Sequence, residues 1–383
     1  MNTTATANKA DSTFMLVYFK AAFTIFMSVL FSGGTVGNLW TLGSVFRVLI
    51  RNTVWKWSHA VPEPLYIYTG FLSITNILVL SLIPVILIDH YYQQFPFGWI
   101  MCKYVWATET VSKMLTVAVL TVITIDRYCC ICRPSIRHST HNKRTASITV
   151  LLCLAVCLLA NTPVFIYARL HTVTIDNGSV NLVKCLMNSY IPDHLFGVFI
   201  GYSFVLGWCL PACVIIFCYR SIMRSLYNPA ATSPDSHNML VHRHYGRLSV
   251  SIRRRRREHA VLNSVCMAAG FHFLCWSPYW LSILLPLIVR HRYPIYVICI
   301  LMSIHTLPFV NCAGNWVIYA LLNKQMRRLS KLCRDSSRRK RVRHSSQLLT
   351  GGPDSRSTGT TPSNRRVTKT QSTPIIIEHT TSC

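Results

Sequence analysis

The chain has 383 residues, 51% of them hydrophobic and 13% charged, where a soluble globular domain carries about 25% charged residues. Lys and Arg outnumber Asp and Glu by 39 to 12. The basic residues gather in a few segments between long apolar runs, which excludes an ordinary soluble domain and speaks against a nucleic-acid partner. Sixteen Cys are spread mostly along those apolar runs, where Cys behaves as a small hydrophobe. No paired C-x-x-C motif has zinc-site spacing, so neither a metal nor a cofactor is implied. The first residues, Met1 to Thr13, are polar, so the first apolar helix is expected to serve as the targeting signal.

About 20 apolar residues cross a bilayer core as a helix. The chain offers such spans near Lys20–Val48, Leu65–Ile88, Lys103–Cys132, Ala146–Tyr167, Leu195–Leu226, Ala260–Val289 and Pro294–Leu322. The expected fold is therefore an all-α membrane protein, a seven-transmembrane helix bundle. Pro84, Pro163, Pro211, Pro278 and Pro308 fall inside spans, where neighbouring Ser/Thr groups can re-satisfy the carbonyls that a proline frees. No internal repeat is visible, which argues against transporters built from duplicated halves. Basic connections set the orientation. Arg47, Arg51 and Lys56, then Arg133 to Arg144, then Arg243 to Arg257, then the tail from Lys324 all fall on one side. That side is expected to be cytoplasmic and the N-terminus extracellular. Two sequons, at Asn2 and Asn177, fall on the expected outer side.

Ionisable residues at bilayer depth are expensive and are functional candidates by default. Glu109 and Lys113 lie one turn apart on the same face of the third span. They either neutralise each other, or Glu109 lines a cavity open to the outside and meets a cationic ligand group; the two readings are compatible. Asp126 and Arg127 close the same span, where an interfacial ion pair would suffice.

Further motifs fall in a definite order along the spans. Gly37-Asn38 lies in the first, and Cys102 opens the third after Phe95-Pro96-Phe97-Gly98. Asp126-Arg127-Tyr128 closes the third, with Pro134 following. Pro211 and Tyr219 lie in the fifth, Cys275-Trp276-Ser277-Pro278 in the sixth, and Asn315-Trp316-Val317-Ile318-Tyr319 in the seventh. In these residues the chain resembles a rhodopsin-like (class A) G-protein-coupled receptor from about Lys20 to Cys333. Its texture is closest to the somatostatin, allatostatin and opioid-like neuropeptide receptors.

The resemblance implies a receptor without enzymatic activity, in the plasma membrane, that passes extracellular ligand binding to heterotrimeric G proteins. It implies a disulfide between Cys102 and Cys185. It gives Arg127 a partner in Glu258 at the foot of the sixth span, although five neighbouring Arg residues compete for that acid. Tyr219 and Tyr319 would support Arg127 in the active state. Residues 1–19 become an outer arm, 20–322 the bundle, 323–333 a short amphipathic eighth helix with a palmitoylation site at Cys333, and 334–383 a disordered tail. Ser and Thr in that tail would recruit receptor kinases and arrestin, and its basic runs would attract anionic membrane lipids. Ligand-pocket candidates are Glu109, Lys113, Trp276, His305 and Phe309. The expected ligand is a peptide; a constitutively active, chemosensory or amine-type receptor is the alternative.

Several positions depart from the family pattern. Asn76 stands where an Asp, together with Thr116, Asn311 and Asn315, would form a sodium site. Sodium prefers charged oxygens, so weak or absent binding is expected. Trp316 replaces the seventh-span proline, predicting a smaller kink near Tyr319. His272 replaces the Phe beneath Trp276.

Overall fold

In the computed structural model the described residues are 2–55, 63–133, 143–175, 180–187, 191–227, 244–288 and 295–320. They build the first span from α1 (Asn2–Trp55) and the second from α2 (Glu63–Leu80) with α3 (Ile83–Tyr92). The third span is α4 (Gly98–Cys132), and the fourth is α5 (Lys143–Ala160) with α6 (Thr162–Tyr167). A hairpin of β1 (Arg169–Ile175) and β2 (Val180–Leu186) follows. The fifth span joins α7 (Asp193–Phe204), a π-helical turn (Val205–Cys209) and α8 (Leu210–Tyr227). The sixth is α9 (His244–Ile288), and the seventh joins α10 (Ile295–Ile304) to a helix over 307–320.

Among the described residues, six spans are long and apolar enough to cross a membrane. The sixth span, α9, carries Asn263, His272 and the Trp276-to-Trp280 stretch within its apolar run. Its place in the bundle is nevertheless secured by packing. The third span is the hub, packed against the second, fourth, fifth and sixth. Half of its most apolar window is buried, against 6% for the first span, which therefore presents most of its surface to lipid. Leu72, Leu115, Val119, Leu120, Ile123, Val150, Val261 and Val265 form the largest buried cluster, joining the second, third, fourth and sixth spans.

Prolines decide where helices break, because each removes a donor and clashes with the carbonyl four residues back. The second span breaks at Ser81–Leu82, ahead of Pro84; the fourth at Asn161, ahead of Pro163. The fifth widens into its π-turn ahead of Pro211, and the seventh breaks at His305–Thr306, ahead of Pro308. Thr162 Oγ1 donates to Leu159 O at 2.7 Å, the very carbonyl that Pro163 would leave without an amide. Only the sixth span runs through its proline without interruption. The seventh also continues unbroken past Trp316, as expected where the proline is missing.

Gly34 and Gly37 let the first and seventh spans approach. A Cβ at Gly37 would lie 2.3 Å from the Trp316 indole, and one at Gly34 would lie 2.8 Å from the Ala313 side chain. Asn38 reinforces the contact, its Nδ2 donating to Cys312 O at 3.0 Å.

Candidate functional site

The hairpin end of the bundle is pinned from several directions. Cys102, at the start of the third span, is disulfide-bonded to Cys185 of β2, 83 positions on in sequence. β1 and β2 pair antiparallel with Leu170 opposite Cys185. The amide of Phe95 donates to Val183 O at 2.7 Å, and Lys184 Nζ lies 3.5 Å from Asp89 Oδ1. Strand, second span and third span thus share one rigid rim over the interior.

Beneath that rim Glu109, Lys113 and Tyr279 form one connected group. Lys113 Nζ donates to the Tyr279 hydroxyl at 2.6 Å, and that hydroxyl donates to Glu109 Oε1 at 3.0 Å. The direct Lys113–Glu109 separation is 4.0 Å. The Lys113 ammonium also lies 4.7 Å from the Tyr279 ring centroid and 5.6 Å from that of Trp280, within cation–π range. Lys113 is 8% exposed, whereas the Glu109 side chain is 34% accessible. The base is therefore enclosed and the acid is the more accessible of the two. The pair is close enough to neutralise itself.

His305 lies beside this group and is solvent-accessible. Its Nε2 is 3.2 Å from Ser282 Oγ, and its ring centroid is 5.1 Å from that of Tyr279. Trp276 sits one turn below Tyr279 with ring centroids 5.1 Å apart, and His272 lies 5.6 Å below Trp276. Phe309 does not join them. It packs with Met27, Val79, Leu80, Leu82 and Ile83, between the seventh span and the first two. Tyr279, Trp280 and Ser282 were not among the sequence candidates. The available signal was helical spacing: Tyr279 follows Trp276 by three residues and so shares its face.

Below Trp276 lies a neutral polar cluster. Asn76 Nδ2 donates to Asn38 Oδ1 at 3.1 Å, leaving Asn76 Oδ1 without a partner. Asn311 lies beside His272, yet neither Asn311 side-chain atom nor His272 Nδ1 makes a well-formed hydrogen bond. Thr116 and Asn315 are buried alongside. With no carboxylate in this set, the residues do not fit a sodium ion.

At the opposite end Arg127 is 1% exposed and pairs with its neighbour Asp126. This is not the solvent-seeking interfacial pair that the sequence alone would allow. Its Nε has no hydrogen-bond partner among the described residues. Tyr319 packs on the main cluster, Tyr219 reaches Cys266 on the sixth span, and the ring of Tyr128 lies 6.2 Å from that of Phe217. The side chains of Glu258, Asn2 and Asn177, and the segment from Leu321 through Cys333 to the terminus, lie outside the described residues.

This arrangement agrees with what the chain matches among known proteins. Residues 49–319 match the family of 7 transmembrane receptors (rhodopsin family). The chain belongs to that family. It is 28% identical to neuropeptide receptor 18 of Caenorhabditis elegans over 79% of this chain and 64% of the relative. It thus spans slightly under two thirds of that receptor. It is 26% identical to melanin-concentrating hormone receptor 1 of Rattus norvegicus, over 77% of this chain and 76% of the relative. It is 24% identical to neuropeptides B/W receptor type 2 of Bos taurus, over 80% and 83%.

Proposed function

We propose that this receptor binds a neuropeptide at its hairpin end and transmits that event to heterotrimeric G proteins at its Arg127 end. The observation that carries the reading is Glu109, an accessible carboxylate in the first third of the third span, seven residues past the Cys102 that pins the hairpin. A carboxylate there recognises a cationic group through a charge-assisted hydrogen bond, roughly twice as strong as a neutral one. Because Lys113 already offsets its charge, a small amine gains little from Glu109 alone. A peptide adds contacts along the hairpin and rim. The names of the relatives point to the same ligand class.

In this reading the hairpin end is extracellular, the basic connections are cytoplasmic and the receptor works in the plasma membrane. Cys102–Cys185 joins cysteines on the oxidising side, where disulfides persist. Arrestin and receptor kinases engage the Ser/Thr-rich tail, and anionic lipids its basic runs. The test is a neuropeptide library applied to receptor-expressing cells, with G-protein activation as readout. The expected result is activation by peptides bearing an accessible Arg, Lys or N-terminal amine. No response to any peptide at normal surface expression contradicts the proposal.

A further inference from the structure

Recognition of a cation by Glu109 does not require the hydroxyl of Tyr279. Lys113 and Glu109 sit one turn apart on the same span and can neutralise each other without help from the sixth. The structure instead inserts the Tyr279 hydroxyl between them, accepting from Lys113 at 2.6 Å and donating to Glu109 at 3.0 Å. The hydroxyl bridges the two from one side, and the charges themselves lie 4.0 Å apart. Its consequence is a tie between the third and sixth spans.

The Lys113–Tyr279 half of the tie is buried, with Tyr279 at 3% and Lys113 at 8% exposure, so water competes poorly for that bond. It is also multiple, because the rings of Tyr279 and Trp280 both flank the same ammonium. Two consecutive residues just beyond Pro278 are thereby anchored to one third-span cation. Trp276 packs one turn below Tyr279, so a displacement of Tyr279 is passed down the sixth span.

A cationic ligand group at Glu109 disturbs this balance. The site then holds two cations and one anion. Two like charges this close repel strongly where water screens them poorly. Lys113 is tethered and cannot leave, while the ligand is held by its other contacts. What yields is the position of the ammonium, and with it the bond to Tyr279.

We propose that Lys113, Tyr279 and Glu109 form a latch that holds the third and sixth spans together until a ligand cation claims Glu109, with Tyr279 as the switch residue. The trigger rests on the ligand reading of Glu109; the latch itself exists without ligand and is testable without one. Tyr279→Phe removes the hydroxyl, keeps the ring over the ammonium, and leaves Lys113 and Glu109 free to close their gap. Basal activity is read as binding of a non-hydrolysable GTP analogue to membranes carrying each Gα class in turn, normalised to surface receptor.

At least a threefold rise over wild type is expected in Tyr279→Phe. Lys113→Met, which removes the donor at similar volume, should rise too, and the double variant should not exceed the larger single effect. Equal basal signal in Tyr279→Phe and wild type at matched surface level overturns the latch. Should Tyr279→Phe fail to reach the surface, an unchanged signal in Lys113→Met overturns it instead. Additive rises in the double variant also contradict it, since one latch can open only once. A raised basal signal with no response to any cationic peptide upholds the latch and refutes the ligand role of Glu109, so the two ideas fail separately.

Discussion

Two polar regions of the interior, one turn above and one turn below Trp276, are satisfied in opposite ways. Above it, Glu109, Tyr279 and Lys113 carry charge, and each has a partner at hydrogen-bond or ion-pair distance. Below it, Asn76, Asn311 and His272 form a neutral cluster in which Asn76 Oδ1, both polar atoms of the Asn311 side chain and His272 Nδ1 are left without a well-formed bond. A buried polar atom left unpaired costs about 1–3 kcal/mol, so the protein's own groups satisfy the lower cluster less fully than the upper one. The upper region is fully paired; the lower region is not. Trp276, whose Nε1 is also unpaired, stands between them.

The largest expected effect comes from separating charge from hydrogen bonding at Glu109. Glu109→Ala leaves the buried Lys113 ammonium without its anion, a loss of about 3–5 kcal/mol. Surface expression and the melting temperature of purified receptor should both collapse. Glu109→Gln also removes the anion but keeps an acceptor for Tyr279, and should retain more of the expression than Ala. If Ala and Gln behave alike in stability, the upper region is held by its charges alone and the hydrogen bond to Tyr279 adds nothing.

The lower region is probed by restoring the missing acid. Asn76→Asp places a carboxylate among buried amides, at a cost of about 2 kcal/mol or more while no cation balances it. Its melting temperature should rise when sodium replaces a bulky organic cation in the buffer, whereas that of the wild type should not change. A sodium-dependent wild type would contradict the account of the amide cluster.

A smaller effect is expected at the contact between the first and seventh spans. Gly37→Ala drives a methyl group into the Trp316 indole at 2.3 Å, and overpacking of this kind costs about 1–3 kcal/mol. Trp316→Ala in the same chain should recover part of the loss, as measured by thermal unfolding. The smallest effect is expected of Ser282→Ala. It removes the hydroxyl's bonds to His305 and to the Tyr279 carbonyl, each worth about 1 kcal/mol, and should leave basal signalling unchanged.

Much of the fold was legible because the bilayer writes it in hydropathy. The positions of the spans, the breaks ahead of Pro84, Pro163, Pro211 and Pro308, and the unbroken helix through Trp316 all follow from local chemistry. The site was legible only in part. Glu109 and Lys113 announce themselves as charges at bilayer depth, and Trp276 through its motif. Tyr279 did not, because its role depends on partners 166 and 170 positions away in the chain, and tyrosine on an apolar face usually means packing. Phe309 misled for a related reason. It lies four residues after His305, but the break at His305–Thr306 interrupts the helical phase, and its ring turns toward the first two spans. Pairings across helices and faces beyond a break are set by packing, which one-dimensional spacing does not record.

The central claim is that the Glu109 carboxylate receives a cationic group of the activating ligand. Its most direct test is the potency of a peptide agonist on wild type and on Glu109→Gln at matched surface expression. A rightward shift of about 100-fold or more is predicted, equivalent to roughly 2.7 kcal/mol of lost charge-assisted bonding. Equal potency on both receptors would contradict it.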